Sequence, residues 1–256
     1  MDFTLSDLQL QEQSAYRAFA EEVIRPCVRE MDESEYTPHE LLNKMRDAKL
    51  LGIPLPEEYG GLGRDFVSAT LCMEELSMVS PATAGIINVT TEIVGVSLLH
   101  FGTEEQKQKY LVPLAKGETI GAFALTEPGA GSDTAGVRTA AVLKGDHWVL
   151  NGTKCFITNA ELADVFLVAA LTDIGGGKRK ISMFIVEKDF PGFSIGKHEK
   201  KMGIRSSSTC ELILEDCIVP KENLLGELGK GIRIALGGLD GGRVMIAAQG
   251  LGVAQG

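Results

Sequence analysis

Cysteine is sparse and unpatterned in this chain. Cys27, Cys72, Cys155, Cys210 and Cys217 are odd in number and scattered, with no C-x-x-C pair, so neither a disulfide framework nor a zinc site is suggested. They read as small buried hydrophobes in a reducing compartment. Positive charge is scarce as well: 25 basic side chains face 35 acidic ones, and the net charge of −10 opposes broad attraction to nucleic acid or an anionic membrane. Neither is an expected partner. The start, Met1 to Asp7, is acidic and helix-forming and lacks a basic n-region and an apolar h-region, and no apolar run approaches transmembrane length. The expectation is a prokaryotic cytoplasmic protein or a mature, processed organellar one. Internal repeats and low-complexity segments are absent too. What is present is 44% hydrophobic content over 256 residues, enough for one large or two modest globular cores.

The periodicity switches near residue 120. Before it, Tyr16, Phe19, Ala20, Val23, Ile24 and Val28 recur at helical spacing, and Thr37-Pro38-His39-Glu40 has the cap, first-turn proline and third-position glutamate of a helix start. A further helix is predicted from about Phe66 to Met78, and Thr103 to Gln106 is a second capping box, opening a helix that should reach about Leu111. After residue 120 come short β-type runs: 137–143, 147–150, 165–171, 181–186 and 211–214. They predict an antiparallel sheet. Helix returns from Gly231, with glycines at 237, 238, 241, 242, 250 and 252 that would weaken an exposed helix and therefore imply close packing.

The densest chemical signal lies between Ala124 and Val137. Pro128 fixes one φ, Gly129 and Gly131 permit left-handed geometry, and the N–H groups of such a segment can turn inward as an anion-binding nest, with Thr126 and Ser132 adding hydroxyl donors. An ordinary glycine-rich surface turn is the competing reading. A Rossmann fingerprint fits less well, because Thr134 stands where a third glycine should be. Trp148 to Asn159 reads as a hairpin, with Asn151-Gly152 as its tight turn.

Together these two segments resemble the acyl-CoA dehydrogenase family. The motifs Lys201 to Thr209, Glu215 to Gly226 and Leu239-Asp240-Gly241-Gly242-Arg243 follow in the family's order, so the resemblance covers effectively the whole chain. It implies an α+β fold: an N-terminal all-α helical domain over 1–119, a central antiparallel, barrel-like β-sheet domain over 120–228, and the beginning of a C-terminal helical bundle over 229–256. The end at Gly256, inside an apolar helical stretch, reads as a truncation. The resemblance also implies that Phe123, Ala124, Leu125, Thr126, Glu127, Pro128, Gly129, Ala130, Gly131 and Ser132 lie along the flavin of FAD, and that Phe156, Ile157 and Thr158 meet it from another side. Ser132 falls between the FAD and CoA chains, and Asp240, Gly241, Gly242 and Arg243 fall at acyl-CoA-binding positions. Phe156 departs from the tryptophan of many members, keeping an aromatic face without the indole donor.

Such a site is expected to take an α proton and a β hydride from a short-chain or short branched acyl-CoA, passing electrons to an electron-transferring flavoprotein from a homotetramer of β-oxidation. Glu127, beside Pro128, reads as a loop-fixing carboxylate and not as the base. Gly242 stands where isovaleryl- and long-chain-type members carry a helix glutamate, so the base is expected beyond Gly256. The four histidines lie outside the matched motifs, and no metal is expected. Each site residue also has a plain structural reading: Thr158 as β-branched strand filler, and Asp240 with Arg243 as a surface ion pair. Two other functions remain open, an enoyl-CoA reductase of the same fold and a non-catalytic acyl-CoA-binding or scaffold protein.

Overall fold

The computed structural model describes residues 4–256, the side chain of Ala135 apart; Met1 to Phe3 of the expected helix-forming start lie outside the described residues. The helical region begins at Ser6, whose hydroxyl accepts from the backbone of Gln9 while the Gln9 side chain accepts from Ser6 N. From this capping box α1 (Asp7–Phe19) runs through a π turn and a 3-10 turn at Pro26 into α2 (Val28–Ser34). It is followed by α3 (His39–Asp47), α4 (Phe66–Ser77), α5 (Pro81–Ile87), α6 (Val96–Phe101), α7 (Glu104–Gln106) and α8 (Val112–Lys116). The Thr103 capping box forms as expected, but its helix continues to Lys116, where Gly117 at φ 71° ends it. The box at Thr37 does not form. Thr37 is buried and donates instead to the carbonyl of Ser206, 2.8 Å away.

Between Pro81 and Phe101 α5, a π-helical stretch and α6 make one continuous helix of 21 residues with a mean hydropathy of 1.5, which corrects the expectation that no run approaches transmembrane length. Its apolar window is 83% buried inside the molecule. It is a core helix, covered by α4, by the sheet and by the last helix.

The sheet has eight strands: β1 (Gly121–Ala124), β2 (Ala140–Lys144), β3 (His147–Thr158), β4 (Val165–Asp173), β5 (Arg179–Glu187), β6 (Phe193–His198), β7 (Thr209–Pro220) and β8 (Leu224–Leu225). Their order is β6-β7-β3-β2-β4-β5-β8, with β1 on β4. Most pairs are antiparallel, but β1 and β2 each meet β4 in parallel, so the sheet is mixed. Sequence patterning missed β6 and β8, which are short and lie at the two ends of the strand order. It also misplaced a turn. Asn151-Gly152 lies inside the continuous strand β3, at a bulge against β7. There the Gly152 backbone passes so close to Thr139 that a Cβ would sit 2.8 Å from the threonine Cα, while Asn151 pairs with Asp216 through both ends of its amide. The hairpin turn is Gly145-Asp146, with Gly145 at φ 65°.

The Lys201–Thr209 motif is a clamp between helices and sheet. Arg205 reaches Glu35 at 2.6 Å, its backbone N–H donates to Asp32, Lys201 donates to Ser207 O, and Asn159 N donates to Ser208 O. The final helix, α9 (Gly231–Gln255), lies across α4 and the Pro81–Phe101 helix. Close packing of its glycines is seen at Gly238, Gly241, Gly242 and Gly252, where a Cβ would press on Ser97, Glu92, Ile93 and the backbone of Glu74. Gly250 faces open space.

That difference is testable within one helix. Gly231→Ala puts a methyl 2.5–2.9 Å from the backbone of Ser182 and Met183 and should destabilise the fold by about 1–3 kcal/mol. Gly250→Ala should stabilise it by up to about 1 kcal/mol, through helix propensity alone. Denaturant unfolding of the two variants separates them; equal shifts would refute the packing assignment.

Candidate functional site

Strand alternation sorts the first candidate segment. On β1 and its exit, Ala122 and Ala124 point into the core while Phe123, Leu125 and Thr126 stay half-exposed. The chain then folds into a tight turn in which Glu127 and Ala130 exchange two backbone hydrogen bonds of 3.0 Å. Their N–H groups are therefore spent on each other, and neither Gly129 nor Gly131 takes a positive φ, so the expected left-handed nest does not form. Pro128, Gly129, Gly131 and Ser132 are exposed, Ala130 is buried, and a Cβ at either glycine would meet nothing within 4 Å. Among the described residues, that side of the two glycines is open.

Glu127 turns inward. Its carboxylate accepts from Lys154 Nζ at 2.7 Å, from Thr139 N at 3.0 Å and from Arg138 N at 2.7 Å, so its side chain is engaged inside the protein and turned from the exposed turn. Burial pushes this carboxyl up, yet the Lys154 and Thr139 hydrogen bonds, the Arg138 amide and the lysine charge outweigh burial and hold it below the ordinary glutamate range. Lys154, fully buried, also donates to Leu125 O at 3.1 Å. One residue on, Cys155 N donates to Thr126 O at 3.0 Å. These bonds lock the β1 exit to β3 immediately before the second candidate segment.

That segment departs from regular strand geometry. The β3–β7 register slips between Lys154 and Ile157, and within the slip Phe156 adopts φ +57°. A bulky residue in the left-handed region is an outlier that the surroundings must enforce, and such outliers cluster at functional sites. The result is a phenyl ring 63% exposed. Ile157 faces the core and Thr158 is half-exposed. Asn159, buried at φ +67°, bolts the end of β3 to Gly121 O and to the Pro81–Phe101 helix at Ile86 O and Thr90 Oγ1.

The surface brought together is thus Phe123, Leu125, Thr126, Gly129, Gly131, Ser132, Phe156 and Thr158. Ala124, Glu127, Ala130 and Ile157, expected among the cofactor contacts, turn their side chains away from it, because alternate strand positions and the ion pair belong to the core. An apolar ring face, two half-exposed threonine hydroxyls and an unobstructed glycine backbone suit a flat, partly polar ring system such as a flavin. The fit rests on protein geometry alone.

On α9 the picture is different. Asp240 and Arg243 pair with each other at 2.7 Å and are 75% and 64% exposed, while Gly242 is buried against Ile93 and Asn88. A side chain at 242 would have to displace them. Sequence reasoning missed the carboxylate that does lie here: Glu92, from the π-helical stretch of the Pro81–Phe101 helix, faces Gly241 and is 5% exposed. Its Oε2 has no partner among the described residues, and burial raises the carboxyl to about 7. The available signal was a lone acid inside the most apolar helix of the chain.

Two consequences can be measured. Lys154→Met leaves Glu127 buried without its cation and should cost about 3–5 kcal/mol, part of which Lys154→Met/Glu127→Gln recovers in denaturant unfolding. Because the Glu127 value is depressed in the folded state, its contribution is present above 4.5, the ordinary value, and lost as pH falls below it. Glu92 has the opposite sign: a raised value means stability that is full below 4.5 and lost as pH rises towards 7, a decline on the order of 3 kcal/mol. Glu92→Gln should abolish that decline; an unchanged pH–stability curve would show that Glu92 is solvated.

Two family models match the chain, the acyl-CoA dehydrogenase N-terminal domain over residues 6–118 and the middle domain over residues 122–217. A short-chain specific acyl-CoA dehydrogenase of Clostridium acetobutylicum is 52% identical over all of this chain and 68% of its own length. An acryloyl-CoA reductase (NADH) of Anaerotignum propionicum is 45% identical, over all of this chain and 65% of its own. Among solved structures, a chain from work on the electron transferring flavoprotein of Acidaminococcus fermentans superposes with a TM-score of 0.96 at 49% identity, covering all of this chain and 67% of that one. Butyryl-CoA dehydrogenase of Megasphaera elsdenii gives 0.95 at 43%, covering all of this chain and 68% of that one. An acyl-CoA dehydrogenase complexed with FAD from Bacillus anthracis gives 0.91 at 44%, with 97% of this chain and 42% of that one covered. This chain spans about two thirds of the length of most of these proteins and, across that span, belongs to the acyl-CoA dehydrogenase family of FAD-dependent oxidoreductases acting on CH–CH donors.

Proposed function

We propose that the protein oxidises a short-chain or short branched acyl-CoA thioester to the trans-2-enoyl-CoA and passes the electrons to an electron-transferring flavoprotein. The observation that carries this reading is Phe156, an exposed aromatic ring held at φ +57° beside Thr126 and Thr158 by the Lys154 brace. The short-chain preference rests on the relatives, which include short-chain specific and butyryl-CoA dehydrogenases.

When bound, FAD supplies the hydride acceptor. Phe156 offers an apolar wall against the ring system, and Thr126 and Thr158 offer hydroxyls that fix its orientation. The open backbone at Gly129 and Gly131 admits a flat group to close approach. Ser132 and Arg243 are assigned to the CoA thioester, Arg243 breaking its exposed pair with Asp240 to present its donor fork to an anionic group. Glu127 is a poor candidate for the base because it is buried in an ion pair with Lys154, takes two further backbone N–H bonds and is held below the ordinary glutamate range, and position 242 is glycine. The base is therefore assigned to the part of the relatives' length that this chain does not match. We further place the protein in a reducing compartment, cytoplasmic or mitochondrial, as a homotetramer.

A reductive direction, enoyl-CoA to acyl-CoA, is favoured by one observation, the 45% identity to an acryloyl-CoA reductase. The residues named would serve either direction.

A protein that spans the relatives' full length should be yellow, and butyryl-CoA should bleach its flavin, whereas residues 1–256 alone, which hold no assigned base, should not be reduced by it; full-length protein that neither carries flavin nor acquires it on incubation with FAD overturns the reading. Arg243→Ala and Ser132→Ala should each weaken an enoyl-CoA at least about tenfold, in line with the 1.5–3 kcal/mol of a charge-assisted hydrogen bond for the arginine, with FAD affinity little changed. Spectral titration of the oxidised flavin measures both. Unchanged affinity would leave Arg243 as half of a surface ion pair.

A further inference from the structure

Behind the Phe156 segment, three donor side chains from distant parts of the sequence converge on one point. Glu161 sits in the turn after β3, His198 ends β6, and Cys210 is the second residue of β7. The β6–β7 register places His198 opposite Cys210, just past a bulge, and Glu161 is drawn over them by its N–H bond to Ser208 Oγ. The His198 Nδ1 is 3.2 Å from Glu161 Oε2 and 3.9 Å from Cys210 Sγ, and all three donor atoms lie within 4.8 Å of one another.

The direction of approach decides between two chemistries. In a nucleophile–base–carboxylate relay, the thiol and the carboxylate flank opposite ring nitrogens. Here both face Nδ1, and that shared focus is what a metal ion requires. A tetrahedral zinc with bonds of about 2.0 Å to N and O and about 2.3 Å to S sets N and O about 3.3 Å apart and N and S about 3.5 Å apart. The two spacings to Nδ1 differ from these by a few tenths of an ångström, while Glu161 Oε2 and Cys210 Sγ, up to 4.8 Å apart against about 3.5 Å in the same geometry, must close by about an ångström, a movement open to the partly exposed Glu161 side chain. A cavity of about 350 Å³ bounded by Glu35, Tyr36, Glu161, His198 and Lys200 provides an entry path and room for a water as fourth ligand.

We propose that Glu161, His198 and Cys210 form a zinc-binding site that ties the β6–β7 hairpin to the turn following Thr158. The proton balance is simple. The Cys210 thiol gives up its proton to solvent as the S–Zn bond forms. The single ring proton of His198 moves to Nε2, a buried atom with no partner among the described residues, and the Glu161 carboxylate binds as it stands. Thiolate and carboxylate together neutralise the dication, so Lys200 at the cavity edge faces a neutral centre. Residues 161, 198 and 210 lack any zinc-motif spacing, which is why the sequence suggested no site.

The test uses the flavin-loaded protein, supplied with zinc and dialysed. It should retain one zinc per chain, and zinc-edge X-ray absorption should show one sulfur at about 2.3 Å among nitrogen or oxygen neighbours at about 2.0 Å. Cys210→Ser and His198→Gln should each lower retained zinc at least about tenfold, with flavin content unchanged. His198 is partly exposed, so His198→Gln remains informative if Cys210→Ser fails to fold. Substoichiometric zinc, zinc without a sulfur neighbour, or full retention by His198→Gln overturns the proposal and leaves a His198–Glu161 hydrogen bond beside a buried thiol.

Discussion

The buried pair of Lys154 and Glu127 is the constraint on which the candidate surface around Phe156 depends. Two opposite charges withdrawn from water are worth little as net stability, because their desolvation offsets most of their attraction. Their value here is positional. A carboxylate with three inward donors and an ammonium that also binds Leu125 O leave the β1 exit and β3 a single mutual arrangement. The cross-bond from Cys155 N to Thr126 O completes it. Phe156 can then be held in an unfavourable backbone conformation, since the residues on either side have no freedom to relax it.

A second organising contact is the seam between the Pro81–Phe101 helix and α9. Gly238, Gly241 and Gly242 let the helices approach closely enough to cover Ser97, Glu92 and Asn88, three polar side chains that each keep one atom without a partner. A buried row of unsatisfied polar atoms is costly, and the π-helical geometry of Asn88–Gly95 is a frequent companion of functional positions. The seam is thus a place where packing is not optimised for stability alone. The proposed site at Glu161, His198 and Cys210 is separate from it, set by the β6–β7 register and the turn after β3.

Local signals in the chain survived folding where local forces governed them. The Thr103 capping box formed because its partners are three residues apart, and α4 began at its predicted position because Asp65 caps its N-terminus. The Thr37 box failed through a long-range competitor, the Ser206 carbonyl. Asn151-Gly152 has the composition of a hairpin turn, but β7 and Thr139 close on it from outside and draw it into a strand. The anion nest failed for a similar reason: the turn at Glu127–Ala130 satisfies its own N–H groups.

Family membership, the helix-then-sheet-then-helix order and the motifs of the two candidate segments, 123–132 and 156–158, were written in the sequence, because motifs and hydrophobic period are properties of neighbouring residues. Which side chains of those segments face a ligand was decided only in three dimensions. Strand alternation and a buried lysine turned Ala124, Glu127, Ala130 and Ile157 inward, and an enforced φ turned Phe156 outward. The same holds for Glu92 against Gly241 and for the convergence of Glu161, His198 and Cys210. Their chemistry arises from proximity between residues tens to more than a hundred positions apart, and only the packed chain creates that proximity.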